Sequence, residues 1–284
     1  MNTDSRIRPR TAFGSSFLRL PVTLLVGGSI LLGWILIAVL GPAFTIHDPI
    51  AVDLAHALLP PSAEFPLGTD SFGRDVLTRL MYGARINLQM AFFGVAGPFI
   101  IGTIVGLLAG NFGGFPDAVL MRILDVTMSF PYFVLVIAIV AVLQPGLASY
   151  YISLTLVNWV SYARLVRSEV IVLRQADFVL AARTIGLGEV RVMTHHLLPN
   201  VISPAVVFVF TDAVLTIVLG SSLGFLGLGV QPPAAEWGVM IAEGQLYLAT
   251  AWWISVFPGI SISLLALGFS LMADGLAKLL HTAP

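Results

Sequence analysis

The sequence contains no cysteine and few charged residues. Only 10% of its 284 residues are Asp, Glu, Lys or Arg, whereas a soluble domain carries about 25%. The absence of cysteine excludes disulfides, thiolate metal sites and cysteine nucleophiles. The apolar residues make up 57% of the chain and its mean hydropathy is +0.95. This composition does not suit a chain folded in water, and it predicts an all-α protein that crosses a membrane several times.

Lysine is nearly absent as well, because Lys278 is the only one. A phosphate-binding loop needs a lysine followed by serine or threonine, and Lys278 is followed by Leu279. The chain therefore has no nucleotide-hydrolysing loop of this type. We find no catalytic constellation either, and we predict that it is not an enzyme. The net charge of −1 indicates no nucleic-acid partner.

Long uncharged stretches predict six membrane spans. The first such stretch, 21–44, extends about 36 Å as a helix, which exceeds the ~30 Å hydrocarbon layer. The uncharged run at 126–163 is too long for one crossing, and Gln144-Pro145-Gly146 predicts a tight turn within it. The predicted spans are 21–44, 88–110, 119–143, 148–168, 201–224 and 251–273.

The distribution of basic residues predicts the orientation. With the N-terminus in the cytoplasm, Arg74, Arg79 and Arg85 are the only basic residues in the predicted outer segments, as the positive-inside rule expects. Both termini are then cytoplasmic. The predicted organisation is one domain with a basic tail at 1–20, a first span at 21–44, an extracytoplasmic loop at 45–87, a five-helix core at 88–276 that includes a cytoplasmic insert at 177–200, and a short cytoplasmic tail at 277–284.

The insert at 177–200 is polar and amphipathic. Ala181 and Ala182 are small helix formers that would let another chain approach closely, and Gly186 and Gly188 permit a hinge. Pro199 suits the first turn of the following span. From composition alone, the insert could dock a second protein or lie flat on lipid headgroups.

Four motifs, spread in order over nearly the full length, carry a family resemblance. They are Pro66–Asp75 with the following residues to Arg85, the insert ending His-Leu-Leu-Pro-Asn200, Phe225–Gly238, and Met272-Ala-Asp-Gly275. With them the chain resembles the permease subunits of dipeptide and oligopeptide ABC importers, a family that also includes glutathione and nickel permeases. It is most similar to the second-permease, or C-type, branch. The resemblance implies the type I ABC-importer permease fold in a bacterial inner membrane.

The resemblance also implies partners and a role for the insert. The expected partners are a second permease, two ATPase subunits that bind ATP and magnesium, and an extracytoplasmic solute-binding protein, with no cofactor held by this subunit itself. The insert would be the helix that couples to an ATPase, although Leu180 replaces the glutamate with which the family's pattern begins. The predicted coupling residues are Ala181, Ala182, Arg183, Gly186, Gly188, Leu198 and Pro199.

Asp212 lies about twelve residues into the fifth predicted span. A carboxylate at that depth costs a few kcal/mol unless it faces protein or water, so such residues are candidates for function. We predict that Asp212 lines the translocation path. The alternative is a structural residue that hydrogen-bonds to a neighbouring helix.

The outer segments contain candidate contacts for a solute-binding protein, namely Asp70, Arg74, Gln231 and Trp237. The charged face formed by Arg74, Asp75, Arg79 and Arg85 is interpreted first as an interfacial anchor, with Asp75 and Arg79 at the i,i+4 spacing of a surface pair. No metal site is predicted, since the five histidines lie in no ligand constellation.

Three alternatives stay open at this point. An ion-coupled secondary transporter would need no ATPase, but such proteins usually place several ionisable groups near the midplane, and Asp212 stands nearly alone. A membrane-embedded enzyme would need a nucleophile or metal site that is not seen. An importer of nickel or glutathione would share the whole scaffold.

Overall fold

The computed structural model describes residues 20–281, and these residues form helices and connecting loops without a β-strand. The predicted basic tail at 1–20 lies outside the described residues except for Leu20, and so do the last three residues of the predicted tail at 277–284. The helices are α1 (Val22–Phe44), α2 (Val76–Phe112), α3 (Gly114–Met128), α4 (Tyr132–Leu143), α5 (Leu147–Leu173), α6 (Asp177–Thr184), α7 (Glu189–Val192), α8 (Leu198–Phe225), α9 (Trp237–Gly244) and α10 (Trp253–His281).

Helix α2 is the central element of the fold. It has 37 residues and so extends about 55 Å. It begins at Val76, twelve residues before the predicted span, because Asp75 caps its N-terminus by accepting a hydrogen bond from the Thr78 amide. The additional turns project beyond the predicted span and pack against the outer segments.

Glycines let α2 and α5 approach each other closely. A Cβ atom at Gly102 would lie 2.4 Å from the Trp159 carbonyl oxygen, and one at Gly106 would lie 2.5 Å from that of Ala163. Such small residues, four apart on one face, are typical of membrane-helix packing. The Gly102–Gly106 pattern therefore serves to pack α2 against α5.

Helices α1 and α10 pack by the same principle. A Cβ atom at Gly27 would lie 2.7 Å from the Met272 amide nitrogen, and one at Gly275 would lie 2.5 Å from that of Leu24. The Met272-Ala-Asp-Gly275 motif therefore contributes to the contact between the first and last helices of the described chain.

The predicted single span at 119–143 is wrong as a continuous helix. Helices α3 and α4 meet at an angle of 88° across a short break. Pro131 explains the break, because proline disfavours helical backbone at the preceding residue, Phe130, and cannot donate a backbone hydrogen bond. Helix α4 has 12 residues, about 18 Å, and is too short to cross a bilayer by itself.

Some of the described helices are too short or too polar to count as membrane spans by length and hydropathy alone. Within residues 20–281, four helical segments are long and apolar enough to cross, or five if the bent pair α3–α4 counts as one span. Helix α5, predicted as a span at 148–168, is long enough but less apolar. Its serine, tyrosine and asparagine residues, together with Arg164, lower its hydropathy.

The segment before α8 is helical and not a loop. Helix α7 continues through a π-helical turn, Met193–Leu197, directly into α8. Pro199 lies in the first turn of α8, as predicted, but the helix before it is continuous with α8 and does not end in a loop. In the π-helical turn, the Leu198 amide donates a hydrogen bond to the Met193 carbonyl oxygen. Pro199 is the next residue, and the helix continues through it. One continuous helical segment runs from Glu189 to Phe225.

Candidate functional site

The insert is a hinge between two helical pieces. Helix α6 ends at Thr184, and Gly186 then adopts a φ of +86°, a backbone conformation that favours glycine. A Cβ atom at Gly186 would touch nothing within 4 Å, so the requirement for glycine comes from the backbone alone. Gly188 is different, since its φ of −65° at the start of α7 is open to other residues.

A polar cluster attaches the insert to the C-terminal end of α2. The Arg183 guanidinium donates to the Glu189 carboxylate at 3.0 Å and to the Asn111 side-chain oxygen at 2.8 Å, and the Asn111 amide donates to Glu189 at 2.9 Å. We call Asn111, Arg183 and Glu189 the inner cluster. It ties both halves of the insert to one helix end and restricts how the hinge can move.

The insert presents apolar side chains away from the rest of the chain. Ile185 is 77% exposed and Val190 is 71% exposed, and Phe178 and Leu180 are also exposed. On the opposite face, Val179, Ala182, Val192 and Leu197 pack into the core. An apolar face that this chain leaves uncovered, next to the hinge, is the kind of surface that a partner protein covers.

The predicted coupling residues divide between these two faces. Ala181, Gly186, Gly188 and Pro199 are exposed, whereas Arg183 and Leu198 are half-buried. Ala182 is buried in the core, so the expectation that another chain approaches it closely is wrong. Its small side chain instead lets α6 lie against its own chain.

Asp212 is buried on α8, in contact with two side chains of α5. The Asn158 amide donates to both carboxylate oxygens at 2.7 Å, and the Tyr162 hydroxyl donates at 2.9 Å. Both of these hydrogen-bond partners are uncharged. Sequence reasoning did not predict the two donors, although Asn158 is a polar residue within an uncharged stretch.

A cavity of about 330 Å³ lies beside this carboxylate. Its lining comes from the break between α3 and α4, from α5 and from α8, and includes Met128, Phe130, Tyr132, Asn158, Ser161 and Asp212. Two of these lining residues, Phe130 and Tyr132, flank Pro131 at the break. The cavity supports a path-lining position for Asp212, which stays a prediction.

The outer segments hold a second charged cluster, at the N-terminal end of α2. Asp70 accepts from Arg74 at 2.6 Å, and Glu243 accepts from Arg74 at 2.8 Å and from Arg79 at 2.9 Å. We call Asp70, Arg74, Arg79 and Glu243 the outer cluster. It contains two cations and two anions, and it joins the 45–75 segment to α2 and α9.

Burial of the outer cluster corrects two expectations. Arg79 is 1% exposed and pairs with Glu243 and Asp70, while the Asp75 side chain accepts from Thr78. The prediction of an interfacial anchor with a surface ion pair between Asp75 and Arg79 is therefore wrong. Asp70, Arg74 and Trp237 are buried too, so direct contact with a binding protein does not fit these three. For Gln231, which is exposed, that contact stays a prediction.

The contacts of two further polar residues, the buried Glu236 and the exposed Arg85, were not predicted from the sequence. Glu236 accepts from the amides of Gly238 and Val239 at the start of α9, and burial raises the pKa of this carboxyl group. Arg85 donates to the Ala38 carbonyl at 2.7 Å. The signal for Arg85 was present, because Pro42 lacks the amide that would otherwise bond to Ala38.

Comparisons with known proteins place the chain among transport proteins. A family model described as "Binding-protein-dependent transport system inner membrane component" matches residues 102–283. The match includes the insert, Asp212 and the segment between α8 and α10. It does not include α1 or the 45–75 segment.

Several curated proteins are similar to the chain over most of its length. The dipeptide transport system permease protein DppC of Alkalihalophilus pseudofirmus is 43% identical, over 89% of this chain and 83% of its own. The probable D,D-dipeptide transport system permease protein DdpC of Escherichia coli is 39% identical, over 87% and 83%. The glutathione transport system permease protein GsiD of Pectobacterium atrosepticum is 39% identical, over 76% and 72%.

Proposed function

The chain belongs to the family of binding-protein-dependent transport system inner membrane components, and we propose that it is a permease subunit of an ATP-driven importer of peptides. It is accordingly a multi-pass protein of the bacterial inner membrane. The peptide assignment is supported by the similar proteins, most of which are named as permease proteins of dipeptide or peptide transport systems. A glutathione permease is among them, so glutathione is the alternative cargo, followed by nickel.

The proposed topology has six spans, with the bent pair α3–α4 and helix α5 each counted as one, in the type I importer fold. The two ends of α2 support it. The outer cluster contacts α2 at Arg79 and the inner cluster contacts it at Asn111, about 48 Å apart along the helix at 1.5 Å per residue. That separation exceeds the ~30 Å hydrocarbon layer. The insert and the 45–75 segment would then face opposite sides of the membrane, with both termini in the cytoplasm.

The proposed assembly contains a second permease, two ATPase subunits and an extracytoplasmic solute-binding protein. ATP and magnesium would bind to the ATPase subunits, and this chain would hold no cofactor and have no ATPase site of its own. The exposed apolar side chains of the insert carry the proposal, since an apolar surface at the cytoplasmic end of a permease is suited to an ATPase.

The structure offers two routes for transmitting movement of the insert. The inner cluster connects Arg183 to the end of α2. The continuous helical segment from Glu189 to Phe225 connects the insert to Asp212, about 35 Å along the helix axis. A displacement of the insert by an ATPase would therefore move the helix that holds the buried carboxylate, and the spans would open alternately to the two sides.

Co-purification with the ATPase subunits tests this proposal. We expect that Ile185→Asp combined with Val190→Asp greatly reduces recovery of the ATPase subunits with the permease, because two charges would be placed on the docking face. Val52→Asp is the matched control, since Val52 is 60% exposed but lies in the 45–75 segment. Full recovery of ATPase with the insert variant would contradict the assignment of the docking face.

Energy dependence separates the importer from an ion-coupled transporter. The buried carboxylate Asp212 is the observation that favours the second class, since proton-coupled carriers use such groups. In proteoliposomes that contain the complete complex, we expect peptide uptake to require ATP and to persist when a protonophore collapses the ion gradient. Uptake without ATP, lost on addition of the protonophore, would overturn the proposal.

A further inference from the structure

The charge of Asp212 is unbalanced within the described chain. Its contacts are the neutral amide of Asn158 and the neutral hydroxyl of Tyr162. Hydrogen bonds satisfy the oxygen atoms but leave the charge in a region of low dielectric, where an unpaired carboxylate is costly. The Asp212 oxygen atoms therefore have hydrogen-bond donors, but neither donor carries a positive charge to balance the carboxylate.

The position of the cavity bears on what could complete the pair. Asp212 is one of the lining residues of the 330 Å³ space. Phe130 and Tyr132 line the same space, and aromatic faces attract ammonium groups. The other lining side chains, such as Met128, Asn158 and Ser161, are uncharged.

We propose that this cavity is a cation subsite that receives the α-ammonium group of a transported peptide, with Asp212 as its counter-ion. The inference rests on the proposed function, since it names a part of the substrate that the permease would recognise. A peptide with a free amino end would pair with the carboxylate during passage. A peptide with a blocked amino end would leave the carboxylate unpaired and so would be discriminated against by this subunit, separately from any selection by a binding protein.

The absence of native cysteine permits a direct test with one reporter. Ser161→Cys places a thiol in the lining of the cavity. The complete importer would be reconstituted in proteoliposomes and treated with either 2-aminoethyl methanethiosulfonate, which is cationic, or 2-sulfonatoethyl methanethiosulfonate, which is anionic. The increase in the mass of this chain, followed over time, gives the rate of labelling by each reagent. The measured quantity is the labelling rate with the cationic reagent divided by the labelling rate with the anionic reagent.

We expect Asp212→Asn to lower this ratio at least about tenfold, because it removes one nearby charge in a setting of low dielectric. The asparagine oxygen can still accept from Tyr162. Asp125→Asn makes the same chemical change at a side chain that is 60% exposed, and we expect it to leave the ratio unaltered. An unchanged ratio in Asp212→Asn, or a thiol that neither reagent labels, would overturn the cation subsite.

Protection of the same thiol identifies the ligand without the Asp212 variant. In the Ser161→Cys variant, we expect a saturating concentration of dialanine to slow labelling at least about threefold. N-acetyl-dialanine, whose amino end is blocked, should not slow labelling. Equal protection by both, or by neither, would overturn the assignment of the α-ammonium group. If Asp212→Asn prevents assembly with the partner permease, and dialanine gives no selective protection, Asp212 serves the assembly. ATP-dependent uptake is measured in the same vesicles, so loss of the importer function itself would be seen separately.

Discussion

The charged clusters at the two ends of α2 differ in how far their side chains are buried. The outer cluster buries Arg74 and Arg79 between two carboxylates, with Arg79 only 1% exposed. The inner cluster is built from one arginine, one glutamate and one asparagine, and both of its charged side chains remain partly accessible to solvent. The outer end is thus closed by its own chain, whereas the inner end stays open beside an uncovered apolar face.

The difference suggests a division of labour along a single helix. A buried, hydrogen-bonded ion cluster is costly to break, because each remaining charge would be left without a partner. A partly exposed cluster costs little to rearrange, since water can replace the lost contacts. The outer end would therefore serve as a fixed base, and the inner end as the part that a partner protein moves.

The largest expected effect comes from breaking the outer cluster. Arg79→Ala would leave the buried Asp70 and the half-buried Glu243 with one cation instead of two, and we expect it to destabilise the protein by about 3–5 kcal/mol. Thermal unfolding of the purified protein in detergent measures this. A loss no greater than that of an exposed arginine variant would show that the outer cluster does not act as a rigid base.

Arg85 offers a second and smaller break on the outer side. Arg85→Met removes the donor to the Ala38 carbonyl, and we expect a loss of about 1–3 kcal/mol, the usual cost of an unsatisfied buried acceptor. Pro42→Ala in the same protein should recover part of this loss, because residue 42 would then supply the missing amide. Absence of any recovery would show that the Ala38 carbonyl is not what Arg85 stabilises.

The hinge of the insert tests the inner end. We expect Gly186→Ala to cost about 1–2 kcal/mol locally, because its φ of +86° disfavours a side chain, and to reduce peptide uptake per ATP hydrolysed. Gly188→Ala is the matched control, since its backbone and surroundings accept a Cβ atom. Equal uptake per ATP in the two variants would count against a coupling role for the hinge.

The smallest effect on stability is expected from the inner cluster. Arg183→Ala should change the free energy of unfolding by about 1 kcal/mol or less, as for other exposed ion pairs. It should nevertheless weaken the coupling of ATP hydrolysis to uptake, because it disconnects α6 from Asn111 and leaves Glu189 as the remaining contact of the insert in this cluster. Coupling at the wild-type level in this variant would leave the continuous α7–α8 segment as the route from insert to cavity.

Local features were predictable from the sequence because they depend on neighbouring residues. The positive φ of Gly186, the close packing at Gly102 and Gly106 and the burial of Asp212 follow from glycine, from small-residue spacing and from an apolar environment. The bend before α4 also had a local cause in Pro131, but the uncharged run around it indicated a single span. The expected surface position of Arg79 failed because its partner Glu243 is 164 residues away in the chain.

By itself, the sequence determined a membrane-embedded, all-helical chain with a polar insert and without a phosphate-binding loop motif, since hydropathy and motif spacing are properties of the linear chain. The tertiary structure alone decided which charged groups pair with each other, that α7 and α8 form one segment, and that a cavity lies beside Asp212. The physical reason is that an ion cluster or a cavity exists only when distant helices close around it, and no local pattern specifies the partner.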